Sequence, residues 1–233
     1  MENVRADLLL LTWAAGAMDA LSYLTSGVFT ANMTGNTVVL GLAIVGPDRS
    51  RLISCLTSLA AFSFGALIAA VLLVGKAGQN DASRDLKIGV VLEYPFVLLF
   101  ALVSWLARRP DGDSARLLLI SSASCALGIQ SVAVRELKIA GVVTTFMTGT
   151  ITTAIVALIP TATPDECGQI RPKHWPLALA GLLLCYVLAT ASTAALVTSG
   201  RRNMAVLVPI ASLAAVLVRA FLRRPEPATF DSL

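Results

Sequence analysis

One histidine, His174, stands in 233 residues, and charged residues make up only 14% of the chain. A zinc site built on imidazoles needs more than one of them, so that chemistry is excluded. The four cysteines, Cys55, Cys125, Cys167 and Cys185, form no CxxC pair, and three lie inside apolar runs. They read as inert buried thiols, with neither a disulfide nor a metal implied. GxSxG, HExxH, P-loop and GxGxxG motifs are all missing, and Asp19 and Glu93 form no recognisable acid and base pair. The chain therefore reads as no enzyme, with no cofactor. Scarcity of charge excludes a soluble domain as well, since such domains carry roughly 25% charged residues.

What is present is apolar: 56% of residues are hydrophobic and the mean hydropathy is +0.79. The apolar residues gather in runs of about 20, the length a helix needs to cross a hydrocarbon core of about 30 Å. The expectation is an all-α, multi-pass membrane protein with the lipid bilayer as its partner. A net charge of +4 does not point to nucleic acid, because Arg108-Arg109, Arg201-Arg202 and Arg223-Arg224 fall at the borders of apolar runs. Residues 8–15, LLLLTWAA, resemble a signal-peptide core, but cleavage would discard Asp19, so they are kept as the first span.

Runs and breakers give eight segments: about 8–26, 28–46, 52–75, 88–107, 115–134, 142–159, 175–198 and 203–222. One membrane domain over 1–222 results, with 223–233 as a disordered tail. Two decamers inside it match. GVFTANMTGN at 27–36 and GVVTTFMTGT at 141–150 share Gly27/Gly141, Val28/Val142, Thr30/Thr144, Met33/Met147, Thr34/Thr148 and Gly35/Gly149, and Pro95 and Pro209 are separated by the same offset. Two repeats of four segments follow, about 8–107 and 115–222, with RRPDGDS at 108–114 between them. Duplicated halves are a common architecture of secondary transporters.

Length makes the second segment a problem. From Leu8 to Val45 there is one charged residue, Asp19, and no polar loop, so two full helices would leave nothing for a turn. Either segments 2 and 6 are broken, extended first and then a half-helix, or they are whole helices whose Gly, Thr and Asn residues let neighbours pack closely. In the broken form, Asn32 or Thr34 caps the half-helix, whose positive end then faces a polar or anionic group at membrane depth. Such a segment either crosses or is re-entrant, which gives eight crossings or six. Lys and Arg do not decide, because with the N-terminus inside they divide eleven to seven in both cases. Either way both termini are expected in the cytoplasm.

Asp19 lies near the midplane of the first span, where a charge needs a partner or a task. It is expected to take a coupling proton or a cationic group, or to bond Asn32 and Asn36. Gln130, in the equivalent fifth segment, is expected to face Asp19 across the repeat axis. Glu93, beside Tyr94 and Pro95, reads as an interfacial carboxylate, Arg219 as a snorkelling anchor, and His174 as interfacial.

GAMDALSYL, FTANMTGNTVVLG, ALGIQS and TTFMTGT resemble the signatures of the YoaK-like family of bacterial membrane proteins, whose domain has no assigned function. The resemblance covers nearly the whole chain and implies a bacterial inner-membrane location and a stand-alone domain, without a substrate. The functional expectation is a small-solute secondary transporter, proton-coupled through Asp19 and compatible with a homo-oligomer. Its central site would be formed by Asp19, Asn32, Thr34, Gly35, Asn36, Gln130, Thr148, Gly149 and Thr150. The rival reading is a membrane scaffold or regulatory protein in which the same residues are packing contacts.

Overall fold

The structure is a computed structural model and describes residues 2–73, 82–106, 113–137, 147–156, 158–159 and 175–222. These residues form eight helices and no strand: α1 (Glu2–Ser26), α2 (Met33–Val45), α3 (Arg49–Leu73), α4 (Ala82–Leu106), α5 (Asp113–Arg135), α6 (Met147–Val156), α7 (Trp175–Thr198) and α8 (Arg202–Leu222). All but α2 and α6 are long and apolar enough to cross a membrane, six in total. With 13 and 10 residues, α2 and α6 rise only about 20 and 15 Å, short of a crossing. The expected tail at 223–233, Cys167, His174 and the first part of the second decamer, 141–146, lie outside the described residues.

Local chemistry sets the breaks. α1 stops at Gly27, which takes a left-handed φ of 70° while its N–H donates to the Tyr23 carbonyl at 2.9 Å. Residues 27–32 carry no helix. The chain then re-enters a helix where the Asn32 side chain accepts from the Gly35 N–H at 3.1 Å, an N-cap. α7 closes on Gly200, with φ 77°, where Arg201 N–H reaches the Leu196 carbonyl at 2.8 Å and Gly200 N–H the Val197 carbonyl at 3.1 Å. That double closure lets α8 begin at once.

Small residues set the closest contacts. A β-carbon at Gly65 would collide with the Cys125 carbonyl, and one at Gly128 with the Phe62 carbonyl, so α3 and α5 touch backbone to backbone. Gly16 does the same for α1 and α7, where a β-carbon would lie 2.9 Å from the Tyr186 carbonyl oxygen. Two groups emerge: α5 packs with α3 and α4, and α2 lies on α3, while α1 packs with α7 and α8, and α6 lies on α7. The groups meet where α1 touches α5 and α4 touches α8. α1 and α5 are the central spans, with 67% and 72% of their apolar windows buried against 17% to 39% for the others. Outward faces carry Leu67, Val71, Leu184, Val187 and Phe221, which places lipid against them.

Paired contacts give the helix directions. Ser58 meets Ser124, and Phe62 lies under Gly128, so α3 and α5 run the same way. Leu9 meets Cys185, and Gly16 meets Thr190, so α1 and α7 also run together. α1 and α5 run oppositely: Val28, just past the end of α1, clusters with Ile120 near the start of α5, while Leu11 near the start of α1 meets Gln130 near the end of α5. The start of α3 lies beside the end of α1, since a β-carbon at Gly27 would be 3.7 Å from the Arg51 guanidinium.

Candidate functional site

A non-helical stretch inside a membrane protein exposes backbone groups that neither lipid nor a helix ladder can satisfy. Side chains satisfy them here. Asp19, on α1 and almost fully buried, accepts at Oδ1 from the Thr30 N–H at 2.7 Å, the Ala31 N–H at 2.7 Å and the Thr30 hydroxyl at 3.0 Å. Its Oδ2 accepts from the Tyr186 hydroxyl of α7 at 2.5 Å. Both oxygens of this carboxyl are engaged by protein groups, so in this state it anchors the 27–32 segment to α1 and α7.

Asn36, buried at the first turn of α2, grips the same segment from the other side. Its Oδ1 accepts from the Phe29 N–H at 2.8 Å and its Nδ2 donates to the Phe29 carbonyl at 2.7 Å, so the amide imitates a paired backbone. Nδ2 also donates to the Ser58 hydroxyl at 2.9 Å. Ser58 in turn donates to the Phe29 carbonyl at 2.7 Å and meets Ser124 of α5 at 2.8 Å. Gly35 leaves room for the Phe29 ring, to which a β-carbon would come within 3.1 Å, and that ring stacks on Tyr23 at 4.7 Å. At the start of α2 the amides of Met33, Gly35 and Asn36 are bonded to Ala31 and Asn32. Little of this helix end is left open for an anion.

The sequence comparison agrees with the span pattern. A family model described as "Protein of unknown function (DUF1275)" matches residues 8–219, from within α1 into the last turn of α8. The chain belongs to the DUF1275 family. It is 39% identical over 150 residues, 64% of this chain and 64% of the relative, to the "UPF0700 transmembrane protein YoaK" of Bacillus subtilis (strain 168). The match thus spans less than two thirds of that relative's length. No solved structure matches.

Within this DUF1275 chain the expected site residues separate into three groups. Asp19, Asn32, Gly35 and Asn36 come together around residues 27–32. Thr34 and Thr148 are exposed on the first turns of α2 and α6, Gly149 is half-buried, and Thr150, which occupies the position of Asn36 in the second decamer, is fully buried. Gln130 stands apart: its Nε2 donates to the Leu11 carbonyl at 3.2 Å, two turns of α1 from Asp19 and about 12 Å away. The antiparallel course of α1 and α5 is the cause, because it carries Gln130 toward the start of α1. The two short helices also have different principal neighbours, α3 for α2 and α7 for α6.

Two further expectations are corrected in position. Glu93 is not interfacial: α4 begins at Ala82, earlier than the expected 88, and Glu93 is fully buried on the face that carries Leu86, Val90, Val97 and Phe100. Arg219 does not simply snorkel, because its Nε lies 2.9 Å from Oδ1 of the buried Asp7 and ties the end of α8 to the start of α1. Sequence reasoning missed Ser58, Ser124 and Tyr186. Serine and tyrosine are common in spans, and no spacing links positions 58, 124 and 186 to the decamer.

Proposed function

We propose that this chain is a secondary transporter of a small polar solute, built on two inverted repeats. The observation that carries the reading is how the halves exchange. Swap α1 with α5, α2 with α6, α3 with α7 and α4 with α8, and the principal neighbour pairs map onto themselves. The contact of α3 with α5 becomes that of α7 with α1, α4 with α5 becomes α8 with α1, and α2 with α3 becomes α6 with α7. The contacts of α1 with α5 and of α4 with α8 become themselves. Burial follows the exchange, at 67% and 72% for α1 and α5, 22% and 17% for α3 and α7, and 39% for both α4 and α8.

Since α1 and α5 run oppositely, the repeat axis lies in the membrane plane, the inverted arrangement of many secondary transporters. α2 is then re-entrant: it descends with residues 27–32 to the depth of Asp19 and returns to the side where α1 ended and α3 begins. Each repeat gives its first helix to the other repeat's bundle. Rocking of the α2, α3, α4 and α5 bundle against the α1, α6, α7 and α8 bundle would open a path to either side. Asp19 belongs to one bundle and holds the segment of the other, so it is a latch between them. The solute passes over the Met-Thr-Gly first turns, where Thr34 and Thr148 offer hydroxyls. With six crossings and the Lys and Arg excess inside, both termini face the cytoplasm of a bacterium.

The engagement of Asp19 and Asn36 by protein groups favours a second reading, a non-transporting scaffold, and accessibility separates the two. In a background without native cysteines, Thr34→Cys and Thr148→Cys should react with a small water-soluble thiol reagent as readily as a cysteine at the exposed position 48. Inertness of both sites would leave no wet path and return the protein to the scaffold class.

A further inference from the structure

Three buried carboxyl groups lie in the described spans, and two of them are taken. Asp7 is held by Arg219, and Asp19 by Thr30, Ala31 and Tyr186. Glu93 is fully buried, and among the described residues neither of its oxygens has a hydrogen-bond partner. It occupies a span that runs from Arg84 to Leu106, about 13 Å from one end and about 20 Å from the other. Its face of α4 turns into the core shared with α1, α5 and α8. The contact of α4 with α8 is one of the two joints between the bundles.

A carboxyl in this position is expensive to keep unless it has a task. Its surroundings narrow the ligand. From the helices packed on α4 or sharing its core, the titratable or charged groups are Asp7 and Asp19 of α1, Arg49, Arg51 and Cys55 of α3, Asp113, Arg116, Cys125 and Arg135 of α5, and Arg202 and Arg219 of α8. None hydrogen-bonds to Glu93. α4 itself adds Arg84, Asp85, Lys87 and Tyr94. A metal cation needs several oxygen ligands, and among the described residues no group of three acidic, histidine or cysteine side chains comes together. A proton needs no further ligand, because it forms an O–H bond with the carboxylate itself.

We propose that Glu93 is a proton-binding site at the joint of the two bundles. It takes a proton from water on one side and returns it to water on the other as the bundles move. The binding rests on the position of Glu93, and the directed release rests on the transporter reading above. Asp19 differs in that its oxygens already hold the 27–32 segment and Tyr186.

Dicyclohexylcarbodiimide, a lipid-soluble reagent that adds to protonated carboxyl groups, tests the binding in the purified full-length protein in phospholipid vesicles, with mass spectrometry locating the adduct. Glu93 should be modified, with the rate falling about tenfold per pH unit above its titration midpoint. Glu93→Gln should abolish the adduct at this position, and Asp19→Asn should leave it in place. A folded wild-type protein with no adduct at Glu93 at any pH, or with labelling indifferent to pH, overturns the proposal and makes Glu93 a sealed structural group. A solute-uptake screen with an imposed pH gradient separates the two ideas. Labelling that titrates while no solute moves supports the proton site and counts against the transporter. Uptake whose dependence on the gradient survives Glu93→Gln overturns the proton site and keeps the transporter. The labelling half is read on wild-type protein, so poor folding of the variant does not remove the test.

Discussion

Removing the Asp19 side chain strands two buried N–H groups, those of Thr30 and Ala31, at a depth where lipid offers no acceptor. Each stranded donor costs about 1–3 kcal/mol. Asp19→Ala should therefore lower the thermal midpoint in detergent sharply. Asp19→Asn keeps a carbonyl oxygen for the two amides and an NH2 group that the Tyr186 oxygen can accept, so its loss should stay near the roughly 0.6 kcal/mol typical of a hydrogen bond between membrane helices. Equal losses in the two variants would mean that the carboxyl does not hold this segment. The need for partners around residues 27–36 was legible in the sequence, because Asp19, Asn32 and Asn36 are the polar side chains that stand out from an apolar background. The partners beyond them were not. Ser58, Ser124 and Tyr186 arrive from three other helices, and a serine in a span carries no mark of which backbone it serves.

At the scale of helices, the α3 and α5 contact depends on two missing β-carbons. A methyl group at Gly128 would meet the Phe62 carbonyl, a backbone atom that cannot step aside. Gly128→Ala should destabilise by about 1–3 kcal/mol through overpacking. Gly41→Ala is the control, because nothing lies within 4 Å of its added β-carbon, and the change should be neutral or stabilise by up to about 1 kcal/mol through helix propensity. Thermal midpoints of the two variants in the same detergent check this, and a harmless Gly128→Ala would mean that the helices are not in backbone contact. The positions of the helices themselves were largely readable from runs and breakers. Segment ends fell within a few residues at α3, α5, α7 and α8, since Gly, Pro and clustered charges punctuate them. α4 was misplaced at its start because ASRDLKIG reads as loop by its charges, although Arg84 and Lys87 sit in a helix, and this put Glu93 at the interface in place of the interior where it lies.

For the whole molecule, the open question in the sequence was six crossings or eight, and the reason is arithmetic: Lys and Arg divide eleven to seven in both. Two contacts between distant parts of the chain decide the relative direction of α1 and α5, Val28 with Ile120 and Leu11 with Gln130. No local pattern encodes them. The choice has a consequence that needs no knowledge of which side is the cytoplasm. With α2 re-entrant, the turn before α3 and the turn between α7 and α8 lie on the same side of the membrane. With α2 and α6 both crossing, those turns lie on opposite sides. Asp48 and Ser199 mark the two turns, and both are exposed. In a background without native cysteines, Asp48→Cys and Ser199→Cys should react together with a membrane-impermeant maleimide in vesicles of one orientation, and be protected together in vesicles of the other. Reaction of one from each side would mean that α2 crosses, which makes the repeats parallel and removes the basis for bundles that exchange their first helices across an axis in the membrane plane.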